Sequence, residues 1–391
     1  MAFTYEEVLE FLHTIDAGKL DAAQTLELVL VLRKALVKIE SPWQRMQKLV
    51  WEASGYAASL KAVHDLGIFK NWLARGNSTA TFAEVVKMAN SFCDEDVLRS
   101  LLSVLVFEGT LTFSMPDSYG QSEFSRTLGE PSMAACLEYW FDVQMPSLHR
   151  FPESLKLTSY RAPTDPTKTA WNLATGSPNP FFQWLQENPK TMGDFAMVME
   201  RYASSQLDWT SLYPAETLLE GSDAEAIVVD VGGSRGHDLL KFVDKFGIPA
   251  KSCHLLDRPE VIEVAKGVVL DRVTLHGLDF FKDEIPIKGA RAYYLHSILH
   301  DWNDDLGRQL LVRLKSSMAP HSKILLHELV KLEDSSKDFA SLSELTMMAI
   351  LGAKERNERQ WRDLIHSAGL TVTKIYSSPH ASHCIIEAVA K

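Results

Sequence analysis

One histidine and two carboxylates that lie far from it in the sequence are the best candidates for acid–base chemistry in this chain. His300 lies in the polar segment 296–304, directly after an apolar run that is typical of a strand. It is the leading candidate for a general base because imidazole titrates near neutral pH. Glu328 and Glu355, on other segments, could hold the ring in one tautomer and favour its protonated form. The open alternative is a histidine at a helix N-terminus that bonds to Asp304.

A glycine-rich segment between two apolar runs predicts a nucleotide site. Gly232, Gly233 and Gly236 follow the run 227–231, and glycine lets the backbone turn tightly and a ligand approach closely. Asp257 comes 25 positions after Gly232, at the end of the next apolar run, where it could accept hydrogen bonds from ribose hydroxyls. Asp230 would repel a pyrophosphate but suits a cationic group, such as an amino-acid ammonium. This favours S-adenosylmethionine (SAM) over NAD, the alternative being an aspartate that caps the turn.

Further polar groups follow later apolar runs. Asp279 could hydrogen-bond an adenine amino group while Phe280 packs on its ring, because ligands bind at the carboxyl ends of strands in open α/β sheets. His296 and His300 are four positions apart and could ligate a metal, but no third ligand sits at metal spacing, so no metal is expected. Residues 380–383 are predicted to form a solvated turn.

The elements that must position these groups alternate along the C-terminal part of the chain. Apolar runs predict strands at 227–231, 252–256, 273–276, 292–295 and 323–329, with helical segments between them. This alternation predicts a doubly wound parallel sheet over residues 221–391. Two late strands near 371–376 and 384–389 indicate a hairpin, and hence an antiparallel strand, at one edge.

The N-terminal part, residues 1–130, reads as mainly helical with a winged-helix module. Three helices between residues 43 and 106 precede two short strands around the turn 116–118. DNA binding is disfavoured because the third helix carries Arg99 as its only base and begins with three acidic residues. Apolar stripes in a segment that lacks chemistry instead predict a dimerisation or lid role, and thus a homodimer.

Residues 131–220 form a helical, aromatic-rich region ahead of the nucleotide segment. Aromatic side chains at helical spacing are more often core than pocket. Their density here would equally suit the walls of a site for a flat, apolar substrate, and the sequence leaves both interpretations open.

Length and composition exclude several classes of protein. A length of 391 residues favours more than one domain. A net charge of −11 argues against a nucleic-acid partner, and the four dispersed cysteines suggest neither disulfides nor zinc. No run of 18 apolar residues predicts a membrane span, and the acidic N-terminus is unlike a signal peptide, so a cytoplasmic enzyme is expected.

With these motifs in place, the sequence resembles the plant and fungal small-molecule O-methyltransferases of the caffeic-acid type. The resemblance covers roughly residues 40–391 and rests on segments 229–236, 257–262, 299–304 and 352–357 together with Glu328, 28 positions after His300. It implies a Rossmann-like SAM domain and a winged-helix dimerisation domain. It also implies that His300 is the base, that Glu328 and Glu355 orient it, and that the substrate is a small natural product.

Three departures from the family pattern leave every catalytic group in place. Ser234 stands for a commoner glycine, Arg258 for a commoner leucine, and His296 for a lysine that lies near the cofactor in plant members. The resemblance is strongest to fungal members that decorate polyketides, alkaloids and terpenoids. Some fungal relatives bind SAM yet catalyse pericyclic reactions or dehydrations, and these tend to lose the histidine that this chain keeps as His300. A non-methylating enzyme on the same scaffold is therefore the second hypothesis.

Overall fold

The computed structural model describes residues 4–15, 17–220, 225–332, 340–378 and 383–391. Its N-terminal region is helical with one small sheet. The helices are α1 Tyr5–His13, α2 Ala22–Ile39, α3 Pro42–Gln47, α4 Ala53–Asp65, α5 Ile68–Arg75, α6 Phe82–Met88 and α7 Glu95–Phe107. A π-helical turn, Lys48–Glu52, joins α3 to α4. The strands are β1 Thr79–Thr81, β2 Leu111–Ser114 and β3 Ser118–Gln121, in the antiparallel order β1-β3-β2.

These elements confirm the helices and hairpin expected of a winged helix, and they add β1, which is too short to show in the sequence. Leu98, Leu102 and Leu105 recur on one face of α7 and are fully buried against α4 and α5. Arg99, the only base of that helix, pairs with Asp117 at 2.9 Å, so its guanidinium is engaged within the module.

A helical region connects this module to the large sheet. Its helices are α8 Glu123–Thr127, α9 Pro131–Tyr139, α10 Met145–Leu157, α11 Ala170–Thr175, α12 Phe181–Glu187, α13 Pro189–Ser205 and α14 Trp209–Leu212. A π-helical turn, Trp140–Gln144, separates α9 from α10. The long helix α13 packs along α9 and leads towards the glycine-rich segment.

The C-terminal region is an eight-stranded mixed sheet with helices on both faces. Its strands are β4 Val228–Val231, β5 Cys253–Asp257, β6 Thr274–Gly277, β7 Ala292–His296, β8 Lys323–Lys331, β9 Arg356–Asn357, β10 Leu370–Tyr376 and β11 His383–Ala390. The helices are α15 His237–Phe246, α16 Pro259–Val269, α17 Asp304–Lys315, α18 Ala340–Leu351 and α19 Glu358–Ser367. The strand order is β10-β11-β8-β7-β4-β5-β6, and β9 pairs with the end of β8.

This sheet confirms the predicted fold class. The strands β4 to β8 pair in parallel, and β11 runs antiparallel to both β8 and β10. Val228, Val229 and Val231 are fully buried because helices cover both faces of β4, which is why this strand is apolar at every position except Asp230. The order reverses between β4 and β7, and the carboxyl ends of these two strands carry the candidate site. No helix within the described ranges is long and apolar enough to cross a bilayer.

Candidate active site

The glycine loop after β4 encloses a buried carboxylate that has no partner. Asp230 is 1% exposed, and neither of its carboxyl oxygens accepts a hydrogen bond from any described residue. Burial raises its pKa well above the ordinary value, and Asp238 and Asp257 raise it further. It therefore does not cap the turn. A buried carboxylate of this kind needs a cation or a hydrogen-bond donor, which an ammonium group supplies.

The loop glycines are required by close contacts. A Cβ on Gly233 would lie 2.3 Å from the Asp230 Oδ2 atom, and one on Gly232 would lie 2.6 Å from the Ile298 Cδ1 atom. Gly232 and Gly236 also have positive φ, which favours glycine. The absence of Cβ atoms thus lets the loop backbone pack closely against Asp230 and Ile298, at the place where the sequence predicts the amino-acid end of SAM.

Asp257, at the end of β5, hydrogen-bonds the backbone of the glycine loop. Its Oδ2 accepts the Ser234 N–H at 2.8 Å, and its Oδ1 accepts the Arg258 N–H at 2.8 Å. Burial raises the pKa of this carboxyl, although both N–H groups act against that shift. Each carboxylate oxygen keeps a further lone pair, so the geometry is compatible with the predicted hydrogen bonds to ribose hydroxyls.

The segment after β6 places an aromatic ring beside the glycine loop. The Phe280 ring carbon Cε1 lies 3.6 Å from the Cβ position of Gly232, on the side expected for adenine. Asp279 accepts the Phe281 N–H at 3.0 Å and pairs with Lys282 at 2.9 Å. These contacts fix the turn that carries the phenyl ring. Whether Asp279 reaches an adenine remains a prediction.

His300 lies on a short 3-10 turn, Leu299–Asp301, after β7, and a carboxylate holds its ring directly. The imidazole Nδ1 is 2.9 Å from Glu355 Oε1, which also accepts the Ser343 hydroxyl at 2.7 Å. The other ring nitrogen, Nε2, lies 3.3 Å from Asp301 Oδ1. Asp304 does not bind the ring, since it pairs with Lys354 and Arg356 instead. The structure therefore brings His300 and Glu355 together as predicted and adds Asp301.

Glu328 lies beside this pair but acts on the backbone rather than on the imidazole. It is fully buried on β8, and its Oε1 accepts the N–H groups of Ile298 and Leu299 at 3.1 and 2.7 Å. Of the two carboxylates that were expected to bind the ring, only Glu355 does so. Glu328 fixes the turn that carries the ring.

The charges around His300 favour its protonated form. Burial alone would lower the pKa of the imidazole, but Asp301, Glu355 and Glu328 outweigh it and raise the pKa to about 10. Burial raises the pKa of Asp301 to about 7, against the opposing effect of His300. The site can therefore store a proton on His300 and share it with a neighbouring carboxylate.

A cluster of histidines that the sequence analysis missed surrounds His296. Its Nδ1 lies 2.5 Å from Asp238 Oδ2, while its Nε2 is buried and has no partner among the described residues. The His327 ring stacks on it with 4.0 Å between centroids, and His383 meets both rings edge-on. Potential ligand atoms of Asp238, His296 and His327 lie within 4.8 Å of one another, and the two imidazole rings are nearly parallel, with an interplanar angle of 23°. The Tyr294 hydroxyl links this cluster, since it donates to Asp238 Oδ2 at 3.1 Å and lies 2.8 Å from His327 Nδ1.

His383 corrects one sequence prediction. It was expected in a solvated turn but is 1% exposed at the start of β11, with Nδ1 3.2 Å from Gln206 Oε1. Residues 380–382 of that predicted turn lie outside the described residues. The strand β11 begins at His383, one position before the strand expected at 384–389.

Aromatic side chains of the helical region form a core, and one of them also contacts the rings near His300. Trp171 and Phe181 are buried among their own helices. Phe182 reaches across to Trp302, with 5.8 Å between ring centroids, and Trp302 in turn contacts Phe281 at 4.7 Å. An unbroken row of rings therefore runs from beside the glycine loop to the His300 turn. Trp171 and Phe181 thus fit the core interpretation, and the interpretation of other rings as substrate walls stays a prediction.

A match to a known protein family identifies the family of this chain. Residues 164–371 match the model of the O-methyltransferase domain, which is more than half of the chain. The chain belongs to the O-methyltransferase domain family. Its cofactor is SAM, and the unpartnered Asp230 carboxylate and the glycine cradle fit the ammonium end of that molecule.

Curated fungal relatives align along almost the whole chain. O-methyltransferase mfmE of Annulohypoxylon moriforme is 30% identical over 386 residues, which cover 98% of this chain and 95% of the relative. O-methyltransferase mpaG of Penicillium roqueforti is also 30% identical, over 91% of this chain and 90% of the relative. The chain is therefore a SAM-dependent methyltransferase by family.

Solved structures share the fold across its full length. LepI in complex with SAM has a TM-score of 0.89 at 22% identity and covers 99% of this chain and 100% of that one. OxaC in complex with SAH and oxaline has a TM-score of 0.85 at 22% identity, covering 98% and 96%. A structure titled "A Pericyclic Reaction enzyme" has a TM-score of 0.88 at 23% identity over 98% of both chains. At these identities the likeness concerns the fold alone.

Proposed function

We propose that the chain transfers the methyl group of SAM to a phenol or enol hydroxyl of a small apolar natural product, with His300 as general base. The observation that carries the proposal is the His300 imidazole, oriented through Nδ1 by Glu355 at 2.9 Å at the carboxyl edge of the sheet. That contact leaves Nε2, which lies 3.3 Å from Asp301 Oδ1, as the nitrogen that can take a proton from a substrate when the imidazole is neutral.

The electrostatics of the site suit this reaction. A phenol has a pKa near ~10, and the carboxylates raise the pKa of His300 to about 10. In molecules whose His300 is neutral, the matched values let the proton move from the hydroxyl to Nε2 at little cost while the oxygen becomes nucleophilic, so turnover should rise with pH towards about 10. When bound, SAM supplies a methyl group already activated as a sulfonium. The protein's part is to position the hydroxyl, accept its proton and exclude water.

The aromatic row supports the class of substrate. Phe182, Trp302 and Phe281 line the path between the glycine loop and His300 with ring faces and edges. Tyr139 lies close enough to Asp301 for that charge to contribute to the raised pKa of its hydroxyl, which burial chiefly sets. Flat, apolar molecules with one or two hydroxyl groups match these walls. The relatives mfmE and mpaG are named O-methyltransferases, which agrees with methyl transfer to an oxygen.

A labelling experiment tests the proposal. The protein is incubated with SAM that carries a trideuterated methyl group and a panel of phenols and enols, including 1-naphthol and 4-hydroxycoumarin. We expect one labelled methyl on oxygen for each SAH formed. Conversion of an acceptor with no SAH would contradict methyl transfer and favour the non-methylating alternative, which the fold also accommodates.

We also propose that the protein is a homodimer built on its N-terminal helices. Monomers rarely expose large contiguous apolar patches, yet helices α1 to α4 present many apolar side chains to solvent. The following are each more than half exposed: Tyr5, Phe11, Val31, Val37, Ile39, Trp43, Leu49, Val50 and Trp51. A second copy of the same chain would cover this surface by self-complementary packing.

Light scattering at micromolar concentration tests the dimer. We expect twice the mass of one chain, a monomer for Leu49→Lys, and no change for Phe92→Lys, whose exposed ring lies outside the helices α1 to α4. A monomeric wild type would refute the proposal.

A further inference from the structure

The turn that carries His300 cannot hold its own backbone in place. Leu299–Asp301 is a single 3-10 turn, and its internal bonds are long: Asp301 N–H to Ile298 O at 3.2 Å and Trp302 N–H to Leu299 O at 3.3 Å. Ser297, just before it, has a φ of +52°, which side chains rarely adopt. A short turn of this kind depends on partners from outside itself.

Two buried charged side chains supply those partners from opposite sides. Glu328 accepts the N–H groups at the start of the turn. Arg356 donates from Nη1 to Leu299 O at 2.9 Å and from Nη2 to Trp302 O at 2.8 Å, so it binds the carbonyls on both sides of His300. Arg356 is 0% exposed, and its guanidinium makes these contacts through a rigid planar fork.

Arg356 is itself held by three further contacts. Its Nε donates to Asp304 Oδ1 at 2.9 Å, and its guanidinium carbon lies 5.0 Å from the centre of the Trp361 ring. Its backbone forms β9, whose residue 356 is paired with Val330 on β8. The neighbouring Glu355 binds the His300 ring. Glu355 and Arg356, which are adjacent in the sequence, thus hold the His300 imidazole and the main chain of its turn.

We propose that Arg356 is a positioning residue for His300, acting through the carbonyls of Leu299 and Trp302. This inference rests on the proposed function of His300. The planar shape of the Arg356 guanidinium should therefore matter more for the position of His300 than its positive charge. A lysine ammonium is a point charge and cannot reach both carbonyls and Asp304 in one plane.

The test compares Arg356→Lys with a matched control in the full-length protein. Lys354→Met is the control, because Lys354 Nζ also pairs with Asp304, at 2.7 Å, but touches neither carbonyl. Histidine Cε1–H signals are followed by NMR from pH 5 to 11, with the His300 signal assigned by its absence in His300→Ala. This readout needs no substrate. Calorimetry with SAM, and turnover of any acceptor found in the labelling panel, complete the set.

In Arg356→Lys we expect the titration of His300 to fall by one pH unit or more towards the ordinary ~6.5, because a loosened turn weakens its bond to Glu355. Turnover should fall by roughly 10- to 100-fold, as for a reacting group displaced by about 1 Å. SAM affinity should stay within about threefold, since Asp230 and Asp257 lie on other loops. Lys354→Met should match the wild type in all three measurements.

Three results would overturn the inference. An unshifted His300 titration with full turnover in Arg356→Lys would show that the fork is not needed. Equal changes in both variants would assign the effect to the lost partner of Asp304. Loss of SAM binding together with a lowered melting temperature in Arg356→Lys would assign Arg356 to the stability of the fold. If the His300 titration moves as expected but the wild type methylates nothing, the proposed function fails and the positioning role stands.

Discussion

Replacing Asp301 with asparagine should shift the pH at which the enzyme becomes active to a lower value. Asp301 Oδ1 lies 3.3 Å from His300 Nε2, and the carboxylate is one of three that raise the pKa of the imidazole to about 10. The substitution removes this charge while keeping size and shape. Glu355 remains bonded to Nδ1 at 2.9 Å, so the ring keeps its orientation.

The size of the shift follows from the distance. Two unit charges at 3.3 Å interact by about 5 kcal/mol at an effective dielectric constant of about 20. That is an upper limit of between three and four pH units at about 1.4 kcal/mol per unit. Asp301 does not carry a full charge at neutral pH, because burial raises its own pKa to about 7. We therefore expect the pKa of His300 to fall by about one to three units.

The assay is SAH formation at saturating SAM across pH 5 to 11, with kcat/KM for an acceptor that the wild type methylates. The rising limb should move to lower pH in Asp301→Asn, and the plateau should drop because a less basic imidazole is a weaker proton acceptor. Asp305→Asn is the control, since Asp305 is exposed in the first turn of α17. A limb that stays in place, or moves to higher pH, would refute the reasoning about this pair.

Two further predictions concern the cofactor site and stability. Gly233→Ala places a Cβ 2.3 Å from an Asp230 oxygen, so SAM affinity measured by calorimetry should fall by roughly 100-fold or more, whereas Gly267→Ala, with open space around it, should bind normally. Near-normal SAM binding in Gly233→Ala would contradict the assignment of the loop. Burial, together with the neighbouring ring, lowers the pKa of His254 to about 4, and burial also lowers that of His276, 3.1 Å away. In the unfolded chain these two rings bind protons at a pH of about 6.5, whereas in the folded protein they stay neutral to lower pH, so the melting temperature should drop as pH falls from about 6.5 towards 4. His276→Gln should flatten that drop. An unchanged dependence of melting temperature on pH in this variant would exclude the histidine pair as its cause.

The arrangement of the sheet was predictable because its determinants are local. Short apolar runs covered on both faces mark the central strands, and the glycines of the loop mark the turn after β4. The strand β9 was missed because two residues carry no periodicity, although it pairs Arg356 and Asn357 with β8. β1, of three residues, was missed for the same reason.

The candidate site was predictable in its membership but not in its contacts. His300, Glu328 and Glu355 were brought together by resemblance to a family, since they lie 28 and 55 positions apart in the sequence. Nothing in the sequence specifies which atom a buried carboxylate reaches, and Glu328 binds two backbone N–H groups rather than the ring. The histidine network around His296 combines residues from four segments of the chain, and only the folded strand order shows that they meet.

The most direct test of His300 as the base is a comparison of turnover and SAM affinity in His300→Ala. Removal of a general base should reduce turnover by roughly 10²- to 10⁴-fold. The dissociation constant for SAM should stay near the wild-type value, because Asp230, Asp257 and the glycine loop are untouched. Wild-type methylation by His300→Ala, measured as labelled product per SAH, would contradict the account.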